Sequence, residues 1–210
     1  MRVTNPALSV IFIAVLGTIS SANAADCNQL TPTLGNGSSD QYFELEFEPI
    51  QSGQKHKLTS FADRLSGKWQ GVQSESLCKG HFTKPTSQDF QYRVHAEISE
   101  NFSGAIRLEA EKESRRKVKL EKVYLSPTTN QSNNLWQTGT ITFSGPNSII
   151  FSDIYHTRSA RVAFNSERNS VRTVEELKRV TLLDNTLTID RQTYVNGYLV
   201  SQDAWQLERH

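Results

Sequence analysis

The sequence predicts an all-β protein: an antiparallel up-and-down β-barrel of about 8–10 strands, preceded by a short N-terminal helix. Three observations carry that expectation. From Gly67 onward, apolar residues recur with a period of two, the signature of half-buried strands. Turn-forming clusters interrupt the pattern at short, regular intervals, as in an antiparallel meander. Asn196-Gly197 falls between two alternating runs, the strongest short hairpin signal. Composition supports a packed core, with 36% hydrophobic and 9% aromatic residues among 210. The balance of 23 Lys+Arg against 22 Asp+Glu lacks the basic excess of a dedicated nucleic-acid binder.

The N-terminus reads as a targeting segment. Arg2 is the sole charge before Asp26, Ala7 to Leu16 is apolar apart from Ser9, and Ala22-Asn23-Ala24 forms a small-x-small cleavage site. Residues 1–24 are therefore expected to be a signal peptide, too short in its apolar stretch for a comfortable membrane span. The expected location is exported, either periplasmic or secreted, with no membrane span left after cleavage. In such an oxidising compartment Cys27 and Cys78 are expected to pair. Residues 25–57 read as an extension. Its first part is rich in Gly, Ser and Asn, and Tyr42 to Phe47 forms one possible strand ended by Pro49.

The barrel domain is expected over 58–210. Leu58 to Leu65 is the helix candidate: Thr59 or Ser60 can cap it, Phe61 and Leu65 share a face, and Gly67 stops it. Gln88 to Ile98 is the clearest strand. Phe90, Tyr92, Val94, Ala96 and Ile98 point one way, and Gln91, Arg93, His95 and Glu97 the other. Further strands are expected at Ala105 to Ala110, Lys117 to Leu125, Leu135 to Phe143, Ile149 to Thr157, Arg161 to Phe164 and Val171 to Leu182. Glu175 to Lys178 has a helical look, but the β-branched Val174, Val180 and Thr181 and the neighbouring strands favour β. Thr186 to Val195 and Tyr198 to Leu207 complete the hairpin around Asn196-Gly197.

Ser66-Gly67-Lys68-Trp69 opens the first long strand directly after the helix. This Gly-x-Trp placement resembles the lipocalins and their calycin relatives. The resemblance implies that Trp69 plugs one barrel end beneath the helix and that a late Arg, either Arg191 or Arg209, stacks across the indole. Phe151-Ser152-Asp153-Ile154-Tyr155 resembles the second lipocalin motif with one extra residue. The same opening strand is similar to avidin-like and nitrobindin-like barrels, but no histidine matches a proximal haem ligand, so no cofactor is expected.

The five histidines show no helical zinc spacing, and there is no nucleophile elbow or phosphate loop. No catalytic or metal-binding residue is therefore assigned. The sequence points to a small apolar or amphipathic ligand held inside the barrel, with Tyr92, Phe143, Phe151 and Tyr155 as walls. Trp136, Trp205, Tyr194 and Tyr198 are further aromatic candidates, because rings with polar tips suit ligand pockets. Two readings compete. In one, a filled barrel acts through its surface, with the basic stretch from Lys112 to Lys122 meeting an anionic partner. In the other, a barrel enzyme, an isomerase or hydrolase, would use a buried row of Arg93, His95 and Glu97.

Overall fold

The computed structural model describes residue 27 and residues 52–81, 84–100, 106–114, 117–125, 134–143, 145–157 and 172–210; for 52–55, 81, 134–143, 156 and 157 it describes the backbone alone. The expected signal peptide, the possible strand at Tyr42 to Phe47 and the expected strand at Arg161 to Phe164 lie outside the described residues.

One helix, α1 (Ser52–Leu65), precedes nine strands: β1 (Gly67–His81), β2 (Lys84–Glu100), β3 (Ile106–Ser114), β4 (Lys117–Tyr124), β5 (Asn134–Phe143), β6 (Ser148–Thr157), β7 (Arg172–Leu183), β8 (Thr186–Val195) and β9 (Tyr198–Arg209). The helix begins six residues before the expected Leu58. The apolar period exists only in its second half, at Leu58, Phe61, Ala62 and Leu65. The preceding turns are polar but built from good helix formers such as Gln54, Lys55 and Lys57, so they extend the helix without an apolar stripe to announce it.

All strands pair antiparallel in a single sheet of order β4-β3-β2-β1-β9-β8-β7-β6-β5. Each neighbour is consecutive in the chain, except that the first strand joins the last: Trp69 to Leu77 of β1 lies against Ser201 to Arg209 of β9. That pairing wraps the meander around. Closure stops there, however. β4 and β5 are the two edges, and no ladder joins them among the described residues. The expected full closure into a barrel is thus corrected to a curled sheet whose two edges, β4 and β5, are unpaired among the described residues. β4 carries Lys117, Lys119 and Lys122, exposed charges of the kind that protect an open edge.

The curl is deep. β8 and β4 are five strand spacings apart, about 24 Å in a flat sheet. Yet Arg191 Nη2 on β8 lies 2.8 Å from Glu121 Oε1 on β4. The enclosed face is apolar towards α1. Trp69, Ile98, Ile106, Leu108, Phe151, Leu187 and Leu207 form the main core with Phe61 and Leu65 of the helix.

α1 is fixed across that end from three sides. The Trp69 indole Nε1 donates to Leu65 O at 2.8 Å, and the Arg209 guanidinium lies over the Trp69 ring at 4.5 Å. Arg209 also donates to the carbonyls of Ser66 and Arg64. Arg64 donates to Asn147 Oδ1 and Pro146 O in the β5–β6 turn. Of the two arginines the resemblance offers, Arg209 occupies the place over Trp69, whereas Arg191 lies deeper in the enclosed face.

At the opposite end, Cys27 and Cys78 are disulfide-bonded, with Cα atoms 5.5 Å apart. The pair sits on the outer face against Tyr194, Leu199 and Leu177, a second and smaller apolar cluster. Tyr194 faces outward by simple alternation from Arg191, and Leu199 joins it because the β8–β9 register shifts beside Thr193, leaving Val200 as the extra residue on β9. Asn196 and Gly197 both have positive φ, as a tight two-residue hairpin turn requires.

Candidate functional site

Strand alternation carries the enclosed face past the apolar floor. On β3, the inward series Ile106, Leu108 and Ala110 continues to Lys112. On β8, Leu187 and Ile189 continue to Arg191. On β6, Ile149 and Phe151 continue to Asp153 and Tyr155, and on β7, Leu182 and Val180 lead to Lys178 and Glu176. On β1 and β9 the corresponding positions are Gln73, Glu75, Trp205 and Asp203. The result is a belt of charged and polar side chains around the inside of the sheet.

The belt is hydrogen-bonded across strands. Lys112 Nζ lies 2.7 Å from Glu121 Oε2, 3.5 Å from Glu75 Oε2 and 4.3 Å from the centre of the Tyr92 ring. Arg191 holds Asp203 through two nitrogens, at 2.8 and 3.0 Å, and reaches Glu121 with the second. Gln73 Nε2 donates to Asp203 Oδ1. Lys178 Nζ lies 2.9 Å from both Asp153 Oδ2 and Glu176 Oε2, and the Tyr155 hydroxyl donates to Glu176 Oε1 at 3.2 Å.

Titration follows these contacts. Burial pushes the Tyr92 hydroxyl up to about 12, and the facing Glu75 adds to the effect. Burial also raises Tyr155, with Glu176 beside it. For Glu121 burial works upward, but Arg191 and Lys112 outweigh it and hold the carboxyl below its usual range. Glu176 follows the same logic: Lys178 and Arg191 overcome burial and hold it down to about 2. Asp153 goes the other way, since burial outweighs the attraction of Lys178.

The buried polar atoms without a hydrogen-bond partner among the described residues include Gln73 Oε1, Trp205 Nε1 and Asp153 Oδ1. All three belong to the belt. Gln73 and Trp205 are directly opposed on β1 and β9, so an orphan acceptor and an orphan donor belong to one cross-strand pair. Buried polar atoms are normally satisfied, and such exceptions mark places where a further molecule can bind.

The residues singled out from the sequence fall into distinct places. Tyr92, Phe151 and Tyr155 all lie on the enclosed face, Tyr92 and Phe151 buried and Tyr155 partly so. Phe143 pairs with Ile149 in the β5–β6 ladder, and its side chain, like that of Trp136, lies outside the described set. Trp205 is in the belt, but Tyr194 faces outward beside Cys78, which corrects its placement as a pocket residue. Arg93, His95 and Glu97 are all exposed on the outer face, so the buried row a barrel enzyme would need is not formed by them. Arg93 and His95 border an open groove of about 510 Å³ that Gly71 also lines. Lys112 is buried in the belt and leaves the expected basic surface, where Lys117, Lys119 and Lys122 stay exposed.

The fold and belt together define a class: an all-β, up-and-down curled sheet with an apolar floor and a polar, incompletely satisfied interior. No protein-family model matches the chain, and no curated protein matches it either.

Proposed function

We propose that this is an exported, non-catalytic carrier that holds a small amphipathic molecule inside the curled sheet. One observation supports this above the rest. Gln73 and Trp205 are paired across β1 and β9, and Gln73 Oε1 and Trp205 Nε1 are each buried with unmet hydrogen-bonding capacity, next to an apolar floor. A polar group carrying both an acceptor and a donor, such as a hydroxyl or an amide, satisfies both atoms at once, while an apolar body gains about 25 cal/mol for each Å² it removes from water. Tyr92, Phe151 and Tyr155 supply aromatic surface at the same level. The resemblance to lipocalins at Gly67-Lys68-Trp69, the stacking of Arg209 on Trp69 and the Cys27–Cys78 bridge suit an exported ligand carrier. Among the described residues no helix is long and apolar enough to cross a membrane.

The test is native mass spectrometry of protein taken from its own compartment without detergent. A discrete adduct, lost on denaturation, is the expected result. A clean unliganded mass, together with no uptake of hydrophobic probes, would overturn the reading.

A second reading rests on β4. Val118 and Leu120 are 61% and 80% exposed, interleaved with Lys117, Lys119 and Lys122. Apolar and cationic side chains on one open edge suit an anionic surface. Charge reversal of the three lysines, with sedimentation against anionic vesicles, tests it; unchanged sedimentation discards it.

A further inference from the structure

We propose that the ligand's polar end is cationic, an ammonium or similar head, and that Asp153 receives it at the β5 side of the belt. This rests on the carrier reading above and deepens it. Charge balance is the first argument. Among the described residues the belt's ion pairs join five carboxylates, Glu75, Glu121, Asp153, Glu176 and Asp203, to three cations, with Lys119 Nζ further out, 5.9 Å from the centre of the Tyr92 ring. Each cation is already engaged by two of those carboxylates: Lys112 by Glu75 and Glu121, Lys178 by Asp153 and Glu176, Arg191 by Glu121 and Asp203. An anionic head entering here would add a further negative charge and find each of those three cations occupied. A cationic head would offset the excess, and uncompensated charge in a low-dielectric interior is costly.

The second argument is local. Asp153 is 4% exposed, and only its Oδ2 is used, by Lys178. Its Oδ1 has no partner among the described residues. Burial already pushes this carboxyl up, the response of a group whose negative charge is under-compensated. On the β5 side the residue paired with Asp153 is Gly139. β5 is an edge strand of the sheet, so only one neighbouring strand, β6, flanks it. Phe151 and Tyr155 flank Asp153 on the same strand face, and aromatic rings attract cations.

The experiment is titration calorimetry of the purified, disulfide-bonded protein with three probes sharing one tail: octylammonium, 1-octanol and octanoate. Octylammonium is expected to bind at least about tenfold more tightly than octanoate, with 1-octanol between them. Asp153→Asn is expected to remove most of that preference and to leave 1-octanol within about twofold. Gly139→Val leaves Asp153 and Lys178 in place and is expected to weaken octylammonium by adding a branched side chain at the position paired with Asp153, so it decides the matter if Asp153→Asn does not fold. Octanoate or octanol binding as well as octylammonium would overturn the cationic assignment and leave the carrier standing. An ammonium preference undiminished in both variants would likewise overturn the role of Asp153. If none of the three probes binds, the carrier reading falls and this inference falls with it.

Discussion

Arg191 joins distant parts of the interior, because it bonds Asp203 on the neighbouring strand and Glu121 across the lumen. Its removal would leave buried Asp203 without its cation and Glu121 with Lys112 alone. Breaking a buried pair from one side costs about 3–5 kcal/mol, because the partner's desolvation is no longer offset. Arg191→Leu is therefore expected to lower unfolding free energy by about that amount in urea titration; a loss near zero would mean that water reaches the belt freely. Gly71 is a second sharp point. A Cβ there would lie 2.0 Å from Gln206 O and 2.9 Å from Leu207 Cα, both backbone atoms of the paired strand β9. Gly71→Ala must push β1 and β9 apart where the meander joins first strand to last, and a loss of about 2 kcal/mol or more is expected from such overpacking. Glu176 sets a pH dependence. Its folded pKa, about 2, lies below its ordinary 4.5, so its contribution is complete above about pH 4.5 and is lost as pH falls towards 2. Glu176→Gln should flatten the fall in stability across that window, as read from urea midpoints at pH 5, 4 and 3. An unchanged slope would assign acid sensitivity to other carboxylates, with Glu121, also depressed, the first to examine.

At the scale of elements, α1 is a cap held by side chains rather than by its own propensity. Arg209 donates to the carbonyl of Arg64 in its last turn and to that of Ser66 just past its end while stacked on Trp69, and Arg64 ties it to the β5–β6 turn. Arg209→Ala should raise amide exchange in α1 by about tenfold while leaving β7 and β8 protected, since fraying of one cap does not open the ladder. Equal exchange gains in helix and strands would show instead that the cap and sheet unfold as one unit. The strands were readable in the sequence because their apolar positions alternate and their turns carry Gly, Asn and Asp; β2 shows this best, with Tyr92, Val94, Ala96 and Ile98 inside. The first turns of α1 were not readable, having no apolar stripe. The belt was missed for a different reason. A charged residue at a period-two position looks like a wet face, and only the register between distant strands shows Lys112 and Arg191 to be indoors. A usable signal was nevertheless present. Parity carried forward from an apolar run, Ile106-Leu108-Ala110 to Lys112 or Leu187-Ile189 to Arg191, places each charge on the core side.

The whole molecule is asymmetric along its enclosed axis: α1 and the apolar floor close one end, and the disulfide braces the outer face towards the other. Cys27 and Cys78 are 51 residues apart, and closing a loop of that size removes about 4 kcal/mol of conformational freedom from the unfolded chain. The bridge also holds Cys27 on the outer apolar cluster of Tyr194, Leu199 and Leu177, beside the hairpin of β8 and β9. The paired change Cys27→Ser with Cys78→Ser separates these two roles. If the bridge acts through the unfolded chain alone, unfolding free energy falls by about 4 kcal/mol while near-ultraviolet circular dichroism and ligand uptake stay as they were. If it also clamps the N-terminal segment, the region around Tyr194 loses exchange protection before global unfolding, and the fall is larger. The belt should be indifferent in both cases, because Arg191, Asp203 and Gln73 face the opposite side of the same strands. The bridge therefore secures the fold from outside, and the charge network sets the chemistry within it.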